Sequence, residues 1–183
     1  EIVKNWFKDN FDWEIKKARL VKTPGGVYAI AMAVKAFTKE GEAVIIQQPV
    51  YYPFSEMIIA NNRKLVNSPL VLKEGRYEID FEDFEKKIVK NNVKLFILCS
   101  PHNPVGRVWS VEELKKIGDI CIKHNVVIFS DEIHADFVYE PNKHHVFASL
   151  GESYAANSVI ATAPSKSFNI AGLQVSNIFI ENK

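Results

Sequence analysis

The sequence predicts an α/β domain, a three-layer α/β/α sandwich around a mostly parallel sheet. Two observations lead there. The runs Leu95-Phe96-Ile97-Leu98 and Val126-Val127-Ile128-Phe129 are apolar at every position, so both faces of each strand are buried, as in parallel strands covered by helices on both sides. Runs of this kind alternate along the chain with helical periodicity, and that alternation places helices on both faces of one sheet.

The elements follow in order. Residues 26–38, GVYAIAMAVKAFT, form an Ala-rich helix opened by Pro24-Gly25-Gly26. A buried strand at 42–48 is ended by Pro49, residues 52–62 are helical, and 64–68 is a short strand. Asp80 can cap a helix at 81–91, with Asp83 favouring its positive end. A fully apolar strand spans 94–99. Ser110 and Glu113 make a capping box that opens a helix running to about His124. Strands at 126–130, 158–162 and 176–180 complete the pattern.

The chain has 183 residues, which at ~150 residues per domain is about one domain. It carries 23 basic and 22 acidic residues, a net +1 that gives no broad attraction to nucleic acid or to a membrane. No apolar run approaches the ~18 residues of a membrane span, and nothing resembles a signal peptide. Cys99 and Cys121 read as buried free thiols, which suits a reducing cytoplasm. His102, His124, His134, His144 and His145 form no metal-binding spacing, and adjacent His144 and His145 are expected on a solvated loop. The chain starts at Glu1 without a Met and ends just after an apolar strand, so it is expected to be part of something longer.

In a sheet of this kind ligands bind beyond the carboxyl ends of the strands. Five segments stand there or at the first helix. Thr23-Pro24-Gly25-Gly26-Val27 allows close backbone approach and offers free N–H groups to a phosphate, although Pro-Gly-Gly is also an ordinary turn. Tyr51 and Tyr52, after the second strand, suit either stacking on a flat ring or packing at the domain edge. Ser100-Pro101-His102-Asn103-Pro104-Val105-Gly106 is a rigid loop that presents the Asn103 amide. Asp131 and Glu132 are neighbours on extended chain, so one faces the site and the other points away, with an N-cap as its plainest role. That carboxylate suits a magnesium ion, a general base or a cofactor cation. Lys166, within Ala163-Pro164-Ser165-Lys166-Ser167-Phe168-Asn169, is flanked by small residues where a desolvated amine becomes nucleophilic.

Taken together, SPHNPVG at 100–106, SDEIH at 130–134 and APSKSFN at 163–169 resemble the pyridoxal-phosphate enzymes of fold type I, in the class I/II aminotransferase group. The longer stretches SPHNPVGRVW, SDEIHADFVY and TAPSKSFNIAGLQ are most similar to its cystathionine β-lyase-like branch of C–S lyases. The resemblance covers essentially the whole chain. It implies an aspartate aminotransferase-like large domain over 1–183, with an N-terminal arm and a C-terminal small domain outside it. It implies pyridoxal 5'-phosphate as cofactor, a small amino-acid substrate and a homodimer.

The resemblance also implies roles. Lys166 would carry the cofactor on its amine and then move the substrate α-proton. Asp131 would pair with the pyridinium nitrogen, Asn103 and His134 would stand near the phenolic oxygen, and Tyr51 would stack on the ring. Gly25, Gly26 and Val27 would cradle the phosphate through backbone N–H groups, with the Ser165 hydroxyl beside it. Many aminotransferases carry a serine three residues before the lysine and an arginine eight after it. Ala163 and Gln174 stand there instead, which favours the lyase-like branch. An aminotransferase and a cofactor-binding regulator are the competing readings. An unrelated nucleotide-binding domain lacks its GxGxxG or Walker motif here.

Overall fold

A computed structural model describes residues 1–15 and 20–180 of the chain. The elements run α1 (Ile2–Phe11), β1 (Leu20–Thr23), α2 (Gly26–Phe37), β2 (Ala43–Ile46), α3 (Pro53–Ala60), β3 (Lys64–Asn67), β4 (Val71–Lys73), β5 (Arg76–Glu78), α4 (Phe81–Asn91), β6 (Leu95–Cys99), α5 (Val111–Lys123), β7 (Val127–Asp131), α6 (Glu152–Ala156), β8 (Ser158–Thr162), α7 (Pro164–Ser167) and β9 (Ser176–Ile180). The caps read from sequence are formed. Asp80 accepts from the Asp83 N–H, and Ser110 and Glu113 complete their capping box in both directions.

Seven strands make one sheet in the order β1-β9-β8-β7-β6-β2-β3, and β4 and β5 form a separate hairpin. The pairs from β3 through β8 are parallel, whereas β9 runs antiparallel to both β8 and β1. The predicted three-layer sandwich with its mostly parallel sheet is therefore what the chain forms.

The two-faced apolar strands work as expected. Along β6, Phe96 and Leu98 enter one core with residues of α4 and α5, and Leu95, Ile97 and Cys99 enter the other with residues of α2 and α3. Cys99 and Cys121 are free and buried. Among the described residues, no helix is long and apolar enough to cross a membrane.

Because β1, β2, β6, β7 and β8 run the same way, the chain leaves all five at one sheet edge. The start of β9 arrives at that same edge because β9 is reversed. The register puts Cys99 level with Asp131, and Asp131 level with Ala161, so three strand ends lie side by side there.

Candidate active site

Between α2, the end of β7 and α7 lies a cavity of about 280 Å³. Gly25, Gly26, Val27, Tyr51, Asp131, Ser165 and Lys166 all line it, together with Gln174, Val175 and Ser176. Asn103 and His134 stand on the loops leaving β6 and β7 and are not part of its lining.

The α2 end is built to receive an anion. Gly25 is its N-cap at φ +88°, a left-handed backbone that costs glycine nothing. No side chain caps the helix, and its first turn holds no acid. The first-turn N–H groups and the positive end of the helix dipole are thus left for a ligand. Beside them is Ser176, fully buried, whose Oγ has no hydrogen-bond partner and lies 4.0 Å from where a Cβ on Gly26 would be. Sequence reasoning missed Ser176. Its only signal is a serine opening a strand, and the reversed direction of that strand, which brings it to the site, is set by pairing with distant β8 and β1.

The β7 end is built to receive a cation. Asp131 is buried, and its side chain accepts from the Ile133 N–H at 3.3 Å. Burial pushes its carboxyl up to about 7; the Ile133 hydrogen bond opposes this and the neighbouring Glu132 adds to it. A buried acceptor-only group with one long hydrogen bond calls for a donor, best a charged one.

Glu132 points the other way, as extended geometry requires, but no helix opens at it, so the expected N-cap role is replaced by bonds within the core. Its Oε1 accepts from Ser130 Oγ at 2.8 Å and from the Phe147 N–H at 3.0 Å, and His144 Nε2 donates to Oε2 at 2.8 Å. His144 is therefore not on a solvated loop. It is 3% exposed, held by Glu132 and packed edge-on by Phe11. A partner 12 positions away decides its burial, and no local pattern reports that.

Tyr51 is half-buried with its ring set nearly perpendicular to Phe54. Its phenol is held above the usual value by burial first, then by Tyr52, Asp131 and Glu56. The Asn103 loop is tied to this segment through His102, whose Nε2 meets the Pro49 carbonyl at 3.0 Å. Burial lowers the His102 imidazole to about 4, so the ring is neutral and donates that hydrogen bond. The Asn103 N–H donates to Cys99 Sγ at 3.3 Å, and Trp109 Nε1 donates to the Cys99 carbonyl at 2.9 Å. Burial, and then Asp131, pushes the Cys99 thiol up, which makes it an unreactive strut.

Lys166 stands on α7 at the cavity wall but is exposed there, not desolvated as its small neighbours suggested, because the four-residue helix buries none of its residues. The imidazole of His134 is lowered by burial first and then by Lys166. The cavity thus gathers an anion cradle, a flat aromatic wall, a cation-seeking carboxyl and a primary amine. That donor set fits a flat, phosphate-bearing ring with a basic nitrogen and a carbonyl able to condense with an amine.

A sequence model of the family described as Aminotransferase class I and II matches residues 2–183. Cystathionine beta-lyase PatB of Bacillus subtilis is 47% identical over the whole of this chain. The aspartate aminotransferase of Geobacillus stearothermophilus is 31% identical over 96% of it. The crystal structure of cystalysin from Treponema denticola, which contains a pyridoxal 5'-phosphate cofactor, superposes on 98% of the chain with a TM-score of 0.96 and 47% identity. The chain spans 47% of the Bacillus lyase, 44% of the aminotransferase and 46% of the cystalysin chain.

Proposed function

The chain belongs to the class I and II aminotransferase family, and from that premise we propose that the protein is a pyridoxal 5'-phosphate-dependent C–S β-lyase. Its substrates are L-cystathionine or related cysteine S-conjugates, and its products are a thiol, pyruvate and ammonia. Residues 1–183 are the cofactor-binding large domain of this enzyme, which is read as a cytoplasmic homodimer. The buried free thiols Cys99 and Cys121 suit that compartment.

The observation that carries the reading is the buried Asp131 carboxyl, short of partners, in one cavity with Lys166 and the uncapped end of α2. When bound, the cofactor supplies an aldehyde for the amine and a protonated ring that withdraws electrons from the substrate α-carbon. Asp131 would keep the proton on the ring nitrogen. The first-turn N–H groups of α2, Ser165 and the orphan Ser176 hydroxyl would hold the phosphate. Tyr51 would provide the aromatic face, and Asn103 and His134, on the adjoining loops, would serve the ring's phenolic edge. Lys166 would hold the cofactor through its amine and, when freed by the substrate amine, would accept the substrate α-proton. The β C–S bond then breaks with its electron pair on sulfur, the thiolate is protonated, and water hydrolyses the released enamine to pyruvate and ammonia.

Borohydride treatment of the whole protein should fix the cofactor on Lys166. A peptide map with the adduct elsewhere, or none, defeats the assignment. Pyruvate and thiol released from L-cystathionine identify the lyase. Amino transfer that depends on a 2-oxo acid, without thiol release, identifies an aminotransferase instead, which the similarity to the Geobacillus enzyme keeps as the second reading.

A further inference from the structure

The helix that carries Lys166 has little to hold it. α7 is four residues long, Pro164–Ser167, with no buried residue, and one turn of helix is not stable by its own hydrogen bonds. What fixes it lies on the far side from the cavity. Ser167 Oγ donates to Asp136 Oδ2, and Trp6 Nε1 of α1 donates to Asp136 Oδ1 at 3.2 Å. Trp6 also meets Phe168 edge-to-face, with ring centroids 5.5 Å apart. The two residues that follow Lys166 are thus both gripped from outside the site.

Asp136 is itself well anchored. It lies five residues beyond Asp131, in a segment closed by Ala135 N–H to the Glu132 carbonyl at 3.0 Å and Phe137 N–H to the His134 carbonyl at 2.9 Å. Glu132, at the root of that segment, is locked by Ser130, His144 and Phe147. A continuous path therefore runs from the Asp131 strand end through Asp136 to the turn bearing Lys166.

We propose that Asp136 is a positioning residue for Lys166, acting through Ser167 and braced by Trp6, so that the amine stands at a fixed place relative to Asp131. The proposal rests on the reading of Lys166 as the cofactor-bearing amine. Both carboxylate oxygens of Asp136 are used, so the link constrains direction as well as distance. Misplacing a reacting group by a fraction of its bond-forming distance slows its reaction steeply.

The test measures capture of pyridoxal 5'-phosphate by the cofactor-free whole protein. Samples are quenched with borohydride at timed intervals, and the adduct on Lys166 is quantified by peptide mapping. Asp136→Ala and Ser167→Ala should each slow its formation about tenfold. The double variant should be no slower than the slower single one, because both break the same link. Asp136→Asn, which keeps an acceptor oxygen for Ser167, should restore capture to within about threefold of wild type. Ser167→Ala removes a single hydroxyl, so it keeps the test valid if Asp136→Ala folds poorly. Wild-type capture in Ser167→Ala, or single effects that multiply to about a hundredfold in the double variant, overturns the positioning role and leaves the Lys166 assignment standing. Wild-type protein without an adduct on Lys166 overturns the cofactor reading and the positioning role with it.

Discussion

The carboxyl groups of Asp131 and Glu132 are chain neighbours at the end of β7, both withdrawn from water, and the fold treats them differently. Glu132 is surrounded by donors on the core side: a hydroxyl, a backbone N–H and an imidazole. Asp131 has one long hydrogen bond from the chain and faces the cavity. A buried polar group with its partners in place is part of the scaffold. A buried polar group held short of partners is a cost to the folded chain that a ligand can remove. The contrast separates the two roles of one acidic pair without reference to any relative.

The largest effect should come from breaking the satisfied member. Glu132→Ala strands the His144 ring, the Ser130 hydroxyl and the Phe147 N–H in a dry core. Removing one partner of a buried pair costs about 3–5 kcal/mol, and urea denaturation of the whole protein should read a loss in that range. A loss under about 1 kcal/mol, the scale of an exposed pair, would mean that Glu132 is not the hub its hydrogen bonds describe.

The unsatisfied member should respond in the opposite direction. The Asp131 carboxyl is raised from 3.8 to about 7, so the folded chain keeps its proton where the unfolded chain has released it. Its stability contribution is therefore fully present below pH 3.8 and is lost as the pH rises toward 7. Converted directly, that shift corresponds to an upper bound on the order of 4 kcal/mol at pH 8. With relaxation and water entry, Asp131→Asn should stabilise the cofactor-free protein by about 2 kcal/mol at pH 8. At pH 5 the gain should fall to roughly a third of that. The same variant should lose cofactor affinity, because an amide holds no proton on a ring nitrogen. A variant that is less stable at pH 8 would show that the chain already satisfies Asp131.

This asymmetry also shows what the sequence disclosed. Features decided within a few residues were legible. They include the Asp80 and Ser110 caps, the two-faced strands β6 and β7, the glycines before α2, and the opposite facing of Asp131 and Glu132. Features decided by distant partners were not. α1 is placed by aromatic contacts from Phe7 to Phe179 and from Trp6 to Phe168. The direction of β9 cannot be read from Ser176–Ile180, since its pairing partners β1 and β8 are distant in sequence, and with it Ser176 stays hidden. The burial of His144, expected on a solvated loop, and the role of Asp136 depend on the distant partners Glu132, Ser167 and Trp6.

The smallest effect sharpens the comparison most. Ser130 is fully buried, and its hydroxyl donates to Glu132 Oε1 at 2.8 Å. In Ser130→Ala that oxygen still accepts from the Phe147 N–H at 3.0 Å, and Oε2 still takes the His144 hydrogen bond. No group is orphaned, so the loss is one hydrogen bond to an acidic group, about 1–2 kcal/mol. If the three donors act independently, Ser130→Ala should thus cost clearly less than Glu132→Ala. Equal losses from the two variants would mean that the network holds or fails as a unit. Glu132 would then secure the end of β7, and Asp131 with it, through cooperativity rather than through any single contact.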